Sequence, residues 1–193
     1  MKKFLTLRNI VLCCGALFLL VAFFISFAAK VTAYNGGYTQ SYNNIVWGCN
    51  SFTLNGEKHA LVDLGMGIEK ADPAILPLIG LILMLLAAIG AALVALLVKK
   101  PWAKWVVVGL AVLAIAGAIF QFFAMQGFLR GMINAMARAL GVTDKEAIEQ
   151  EYQSALEGMK EQGARTTVST LMGIFGIVGG LAVGASQFLP EKK

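Results

Sequence analysis

Few residues in this chain of 193 can do acid–base, metal or nucleophilic chemistry, and they do not assemble into sets. His59 is the single histidine, so no zinc or haem site can be built on imidazoles. In a β-rich stretch it reads as a solvated strand side chain. Glu146, Glu149, Glu151, Glu157 and Glu161 suggest an acid pair or a calcium site. They lack the clustered oxygen-ligand spacing of a calcium loop, and the solvated face of a helix accounts for them better. Ser169 and Ser186 have no accompanying base, and there is no phosphate loop. Cys13, Cys14 and Cys49 form no CxxC pair and no disulfide framework on one face; Cys49 reads as a buried thiol. On this reading the chain is not an enzyme and holds neither cofactor nor metal.

The elements around these residues explain the scarcity. Hydrophobic residues make up 58% of the chain and charged residues 14%, against about 25% in ordinary soluble domains. The charges are sorted, not merely few. Residues 9–29, 73–98, 105–129 and 166–190 contain no Asp, Glu, Lys, Arg or His. Each stretch exceeds the roughly 20 residues that cross a hydrocarbon core of about 30 Å. Four transmembrane helices are expected, within a single membrane domain covering 1–193.

The net charge of +5 follows the membrane, so no nucleic-acid partner is inferred. Lys2, Lys3 and Arg8 precede the first span, and Lys99, Lys100 and Lys104 fill the short turn 99–104, all unopposed. The longer loops 30–72 and 130–165 mix both signs. The positive-inside rule then places both termini and the 99–104 turn in the cytoplasm, with the two long loops outside. The N-terminus also resembles a signal peptide, with Val31-Thr32-Ala33 as a small-residue cleavage site. Its apolar run is longer than a usual signal core and carries Phe18, Phe23, Phe24 and Phe27, so a retained span is expected.

Within loop 30–72 the pattern turns to β. Asn35-Gly36-Gly37 signals a turn, and 38–42 and 44–54 are rich in aromatic and β-branched residues. Asn55-Gly56 between two such runs is a strong hairpin signal, and a third strand is expected from the Tyr38 region. Loop 130–165 reads as an amphipathic helical hairpin. Gly141 ends its first helix, Thr143 to Glu146 forms a capping box, and Gly163 closes the second. Asp72 before Pro73 reads as the N-cap of the second span.

The last span carries Thr166, Ser169, Gly173, Gly176, Gly180, Gly184 and Gln187 on one narrow face, a seam that lets another helix backbone approach closely. Gly80, Ala87, Ala91 and Ala95 line a matching face of the second span, so spans two and four are expected to pack through these residues.

Four spans, a β-rich first outer loop, a short basic turn and Trp47-Gly48-Cys49 loosely resemble the claudin-type tetraspan proteins. Their first loop carries a tryptophan and two cysteines that form a disulfide. Here only Cys49 is present, and the second outer loop is a long helical hairpin, so the likeness covers architecture and carries no function. The fold expected is an all-α membrane protein: a four-transmembrane-helix bundle under a small outer cap of β hairpin or short sheet plus two amphipathic helices. With no ionisable residue inside a span to mark an ion path, the expected role is non-catalytic. It is that of a small multi-pass protein of the plasma membrane, bacterial by its lysine-rich start and scarce cysteines. Its partners are the lipid bilayer and a membrane protein or a second copy, bound by the outer loops. Trp47, Phe52, Tyr38 and Tyr152 are the candidate contacts. A channel or transporter for a neutral or hydrophobic solute is the alternative.

Overall fold

The computed structural model describes residues 6–65, 67–97 and 101–189, without the side chains of residues 35 and 95–97. Among the described residues are the helices α1 (Leu7–Ile25), α2 (Ile75–Leu97), α3 (Ala103–Phe120), α4 (Ala124–Ala139), α5 (Lys145–Glu161) and α6 (Thr167–Ser186). The strands are β1 (Lys30–Asn35), β2 (Tyr38–Asn43), β3 (Ser51–Leu54) and β4 (Glu57–Ala60). Four helical runs are long and apolar enough to cross a membrane: Leu7–Ala28, Ile75–Val94, Ala103–Ala139 and Thr167–Ser186. The mostly helical class and the four candidate spans agree with the charge-free stretches.

The third stretch is not one uninterrupted α-helix. A 3-10 turn at Gln121–Phe123 divides α3 from α4, inside the apolar run expected as a single span over 105–129. Gln121 explains the break. Its buried side chain donates back to the Gly117 carbonyl (3.4 Å), competing with the regular backbone ladder.

The chain divides into two compact units, Met1–Ile25 with Ile79–Phe122 and Thr170–Lys193, and Ser26–Leu78 with Phe123–Ser169. In the first unit the helices meet where side chains are missing. A Cβ built on Gly15 of α1 would lie 2.8 Å from the Gly179 carbonyl oxygen of α6, and one on Gly179 would lie 2.8 Å from the Gly15 oxygen. Gly80 of α2 and Gly117 of α3 oppose each other's carbonyls in the same reciprocal way. Helix α6 thus presents two small-residue faces. Gly179 meets α1, while Gly173, Gly176, Gly180 and Gly184 meet Ala118, Ala114 and Ala111 of α3.

This corrects the pairing expected from the sequence. The seam of the fourth span lies mainly on the third, and the second span reaches it through Met84 Sδ, 2.5 Å from a Cβ built on Gly176. Ala87 and Ala91 are buried, whereas the side chain of Ala95 is outside the described residues. Gly80, the first member of that face and about two turns before Ala87, makes the tightest approach, to the Gly117 carbonyl of α3. The far side of α6 keeps Leu171, Ile174 and Val178 exposed, as a lipid-facing stripe requires.

The second unit is a four-stranded antiparallel meander, ordered β1-β2-β3-β4, with α4 and α5. Gly36 and Gly37 (φ +53° and +90°) turn β1 into β2, and Asn55 and Gly56 (φ +50° and +94°) turn β3 into β4. Positive φ at both central residues is the geometry that Asn-Gly favours. The sheet exceeds the expected hairpin plus one strand because Lys30–Asn35, the start of the outer loop and not singled out as a strand, pairs along its whole length with β2. Val31, Ala33, Tyr42 and Phe52 form its buried face, and Tyr42 packs on Phe128 of α4 with ring centroids 5.1 Å apart. The outer edge of β1 is covered. Thr32 exchanges two backbone hydrogen bonds with Arg165, and the Tyr34 N–H donates to the Gln162 carbonyl.

Two expected caps move. The N-cap of α5 is Asp144, whose carboxylate accepts from the Glu146 N–H (3.0 Å), not Thr143. Asp72 does not cap α2, which begins at Ile75. Its carboxylate instead receives both guanidinium nitrogens of Arg138 (2.7 and 2.8 Å), a bidentate geometry that a helix N-terminus cannot match.

Replacing Gly15 by Val forces backbone against backbone and should cost about 1–3 kcal/mol, as overpacking does. Gly109 has nothing within 4 Å of a built Cβ, so Gly109→Ala should leave stability unchanged or slightly raised. Thermal unfolding of the two variants in the same mild detergent checks both expectations.

Candidate functional site

The residues singled out for binding have different fates. Phe52 is buried, stacked on His59 (centroids 5.2 Å, 24° between planes) and tilted against Tyr42. His59 is thereby part of the aromatic row across β2, β3 and β4. Trp47 lies flat on Phe27 at 5.0 Å, and its indole N–H donates to Ser26 Oγ (2.9 Å). Tyr152 is buried beneath Arg130. Of the four candidates, Tyr38 alone is well exposed, at 60%. It stands at the tip of the β1–β2 hairpin, opposite Asn35, while Tyr34, 56% exposed, pairs with Thr39 and so lies on the other face of the same tip. The correction has a simple cause: aromatic residues in a small sheet are needed for its core before they are available to a partner.

Cys49 is fully buried, and its thiol donates to the Ser51 carbonyl (3.2 Å). Burial raises its pKa above the ordinary 9.0, with the hydrogen bonds to the Ser51 and Asn43 backbone acting the other way. The thiolate, the reactive form, is therefore suppressed. Burial also raises Tyr42, with Cys49 adding to the effect. Among the described residues no three His, Cys, Asp or Glu side chains come together in a way that could hold a metal ion.

What the fold does assemble is a cleft of about 420 Å³ in the second unit. Phe123 of the 3-10 turn lines it with Gln126, Gly127, Arg130, Gly131 and Asn134 of α4 and with Tyr152, Gln153 and Leu156 of α5. Asp72, Pro73, Ile75 and Leu76 form the remaining wall. The two glycines determine its shape. A Cβ on Gly127 would lie 2.9 Å from Ala74 Cβ, and one on Gly131 would collide with the Asp72 carbonyl. Without side chains there, the segment before α2 lies directly against α4, and the Asp72 N–H donates to the Gly131 carbonyl (3.3 Å).

The polar side of the cleft is organised by Arg130. Its guanidinium sits over the Tyr152 ring, 4.1 Å from the centroid, and Nη1 donates to Glu149 Oε2 at 2.7 Å. The Gln153 amide donates to the other Glu149 oxygen (2.8 Å). The hydrogen bond from Arg130, then that from Gln153, holds the Glu149 carboxyl below its ordinary 4.5. In the same wall the Gln126 Oε1 is buried and accepts no hydrogen bond. An acceptor buried without a partner is costly, so the amide of Gln126, a residue of the cleft wall, has unused hydrogen-bonding capacity.

Arg130, Asn134 and Gln153 were not recognised in the sequence. The signal existed: Gln126, Arg130 and Asn134 recur every four residues, which puts them on one helix face. Dividing the segment at residue 129, between span and loop, cut that stripe in two. No protein-family model matches the chain, and neither a curated protein nor a solved structure does.

Two outcomes follow from these environments. Cys49 should stay unlabelled by a membrane-impermeant maleimide in the folded protein and react once the protein is unfolded, as peptide mass spectrometry would show. Because the Glu149 pKa is lowered on folding, its contribution is complete above the ordinary carboxylate value and disappears as pH falls through the lowered one. Hydrogen exchange of α5, corrected for intrinsic rates, should therefore change little from neutral pH to about 4.5 and rise below it. Glu149→Gln should remove that acid step.

Proposed function

We propose that this chain is a small, multi-pass, non-catalytic protein of the plasma membrane whose second unit binds a protein partner outside the cytoplasm. The observation that carries the reading is the second unit itself. It closes its own core around Tyr42, Phe52 and Phe128, yet leaves Tyr34 and Tyr38 more than half exposed at one hairpin tip. Tyrosine, with tryptophan and arginine, is enriched among the side chains that carry the binding energy of an interface. Lysines before α1 and between α2 and α3, unopposed by acids, support cytoplasmic termini and an outer sheet. The same asymmetry, with few cysteines, fits a bacterial membrane.

A sheet in the first loop is compatible with the claudin-type likeness, which carries no function here because Cys49 has no second loop cysteine to pair with. A solute pathway along the α6 seam is less well supported. A Cβ added at position 173, 176, 180 or 184 would come closer than an ordinary van der Waals contact to an α2 or α3 atom or to Phe122 of the 3-10 turn, so little space lies along the seam.

A photoreactive amino acid placed at position 34 or 38 in intact cells should give one dominant protein adduct. Tyr34→Ala with Tyr38→Ala should lower the yield of the co-purified complex about tenfold while unfolding stays unchanged. Equal yield would overturn the partner surface. A cysteine at Glu57 that reacts only from the cytoplasmic side would overturn the orientation.

A further inference from the structure

We propose that the cleft between α4, α5 and the start of α2 is a binding site for a single membrane phospholipid. The cleft has an apolar half and a polar half. Ile75 (67% exposed), Leu76 (48%) and Phe123 (42%) form the first, with Leu156 behind them. Ile75 and Leu76 open the charge-free stretch 73–98, so this wall begins where the chain enters hydrocarbon. An apolar wall at that depth is met by acyl chains rather than by water. That continuity with a spanning helix selects a lipid over a soluble ligand or an external peptide.

The polar half has the chemistry of a phosphodiester site. Arg130 uses one of its five N–H donors on Glu149, and its plane is fixed by stacking on Tyr152. Gln126, Asn134 and Gln153 add amides along the same wall. Asp72 brings negative charge to the rim, but both its oxygens are engaged by Arg138, so it does not oppose an incoming phosphate as a bare carboxylate would. Arg130 with Glu149 and Arg138 with Asp72 leave the site with no net charge. A zwitterionic headgroup suits that balance better than a strongly anionic one. Its ammonium or hydroxyl donors supply what the unpartnered Gln126 Oε1 lacks, after rotation of the amide. At about 420 Å³ the cleft falls within the roughly 300–1,000 Å³ of small-molecule sites, enough for a headgroup and the first part of a chain.

The test uses the purified full chain in nanodiscs of phosphatidylcholine, doped with phosphatidylethanolamine, whose primary ammonium can donate, carrying a photoreactive group near the glycerol end of one acyl chain. Diacylglycerol with the same chain is the companion probe, and adducts are mapped by peptide mass spectrometry. Labelling at Leu86, a lipid-facing residue of α2, is the internal reference for bulk lipid contact. The phospholipid should label Ile75, Leu76, Phe123 or Leu156 well above Leu86, and diacylglycerol should not. Arg130→Gln should lower the cleft signal about tenfold, the loss of one charge-assisted hydrogen bond. Arg130→Lys should restore much of it, and Asn134→Phe should lower it by occupying the space. Equal labelling by both probes, an unchanged signal in Arg130→Gln, or cleft labelling no higher than at Leu86 would each overturn the proposal. No protein partner is present, so the outcome is independent of the partner surface at Tyr34 and Tyr38.

Discussion

Contact between bare backbones is the constraint on which this molecule depends. In the first unit, Gly15 faces Gly179 and Gly80 faces Gly117, each pair meeting through carbonyl oxygens where any Cβ would collide. Hydrocarbon gives no hydrophobic drive for helices to associate, so close approach and the dispersion it brings must hold them. The two reciprocal pairs, with the α6 seam on Ala111, Ala114 and Ala118, fix an order in which α6 lies between α1 and α3, and α2 lies on α3. Side chains elsewhere on these helices are free to vary in shape so long as they remain apolar.

The second unit uses the same device for another end. Gly127 and Gly131 bring the backbone of residues 72–74 onto α4, and the Asp72–Arg138 pair fastens that approach. Because Arg138 is well exposed, the ion pair itself adds little to stability. Its geometric effect is larger: it holds one wall of the cleft in register with the other. Aromatic stacking does the remaining work, with Tyr42, Phe52 and His59 across the strands and Phe128 beneath them.

Sequence patterns of long range and strict period were legible. Four charge-free stretches gave four candidate spans, and Asn55-Gly56 gave a hairpin with the φ values such a pair adopts. Partner choice was not legible. The glycines of α6 announce close packing but not against which helix, because small residues on α2 and α3 are alike in sequence and differ only in three dimensions. Gly179, one residue from the seam, serves a second face that a single-stripe reading passes over. The cleft was hidden for a different reason. Its stripe of Gln126, Arg130 and Asn134 crosses the point where apolar composition ends, and hydropathy divides a helix there although the backbone does not. Phe52 and Tyr152 were offered as partner contacts because composition alone does not say that a small sheet keeps Phe52 in its core or that the α4–α5 packing covers Tyr152 with Arg130.

The closing of β1 by residues 162–165 also sets an order in time. The meander β1 to β4 joins neighbours through short turns, so it can form as soon as residue 60 is available. The strip that covers the outer edge of β1 is about a hundred residues further on. At a synthesis rate of about 5–20 residues per second, that edge waits roughly 5–20 s for its cover. A strand edge left open that long can pair with another chain, so the young sheet carries a vulnerable side at β1 that the finished one has covered.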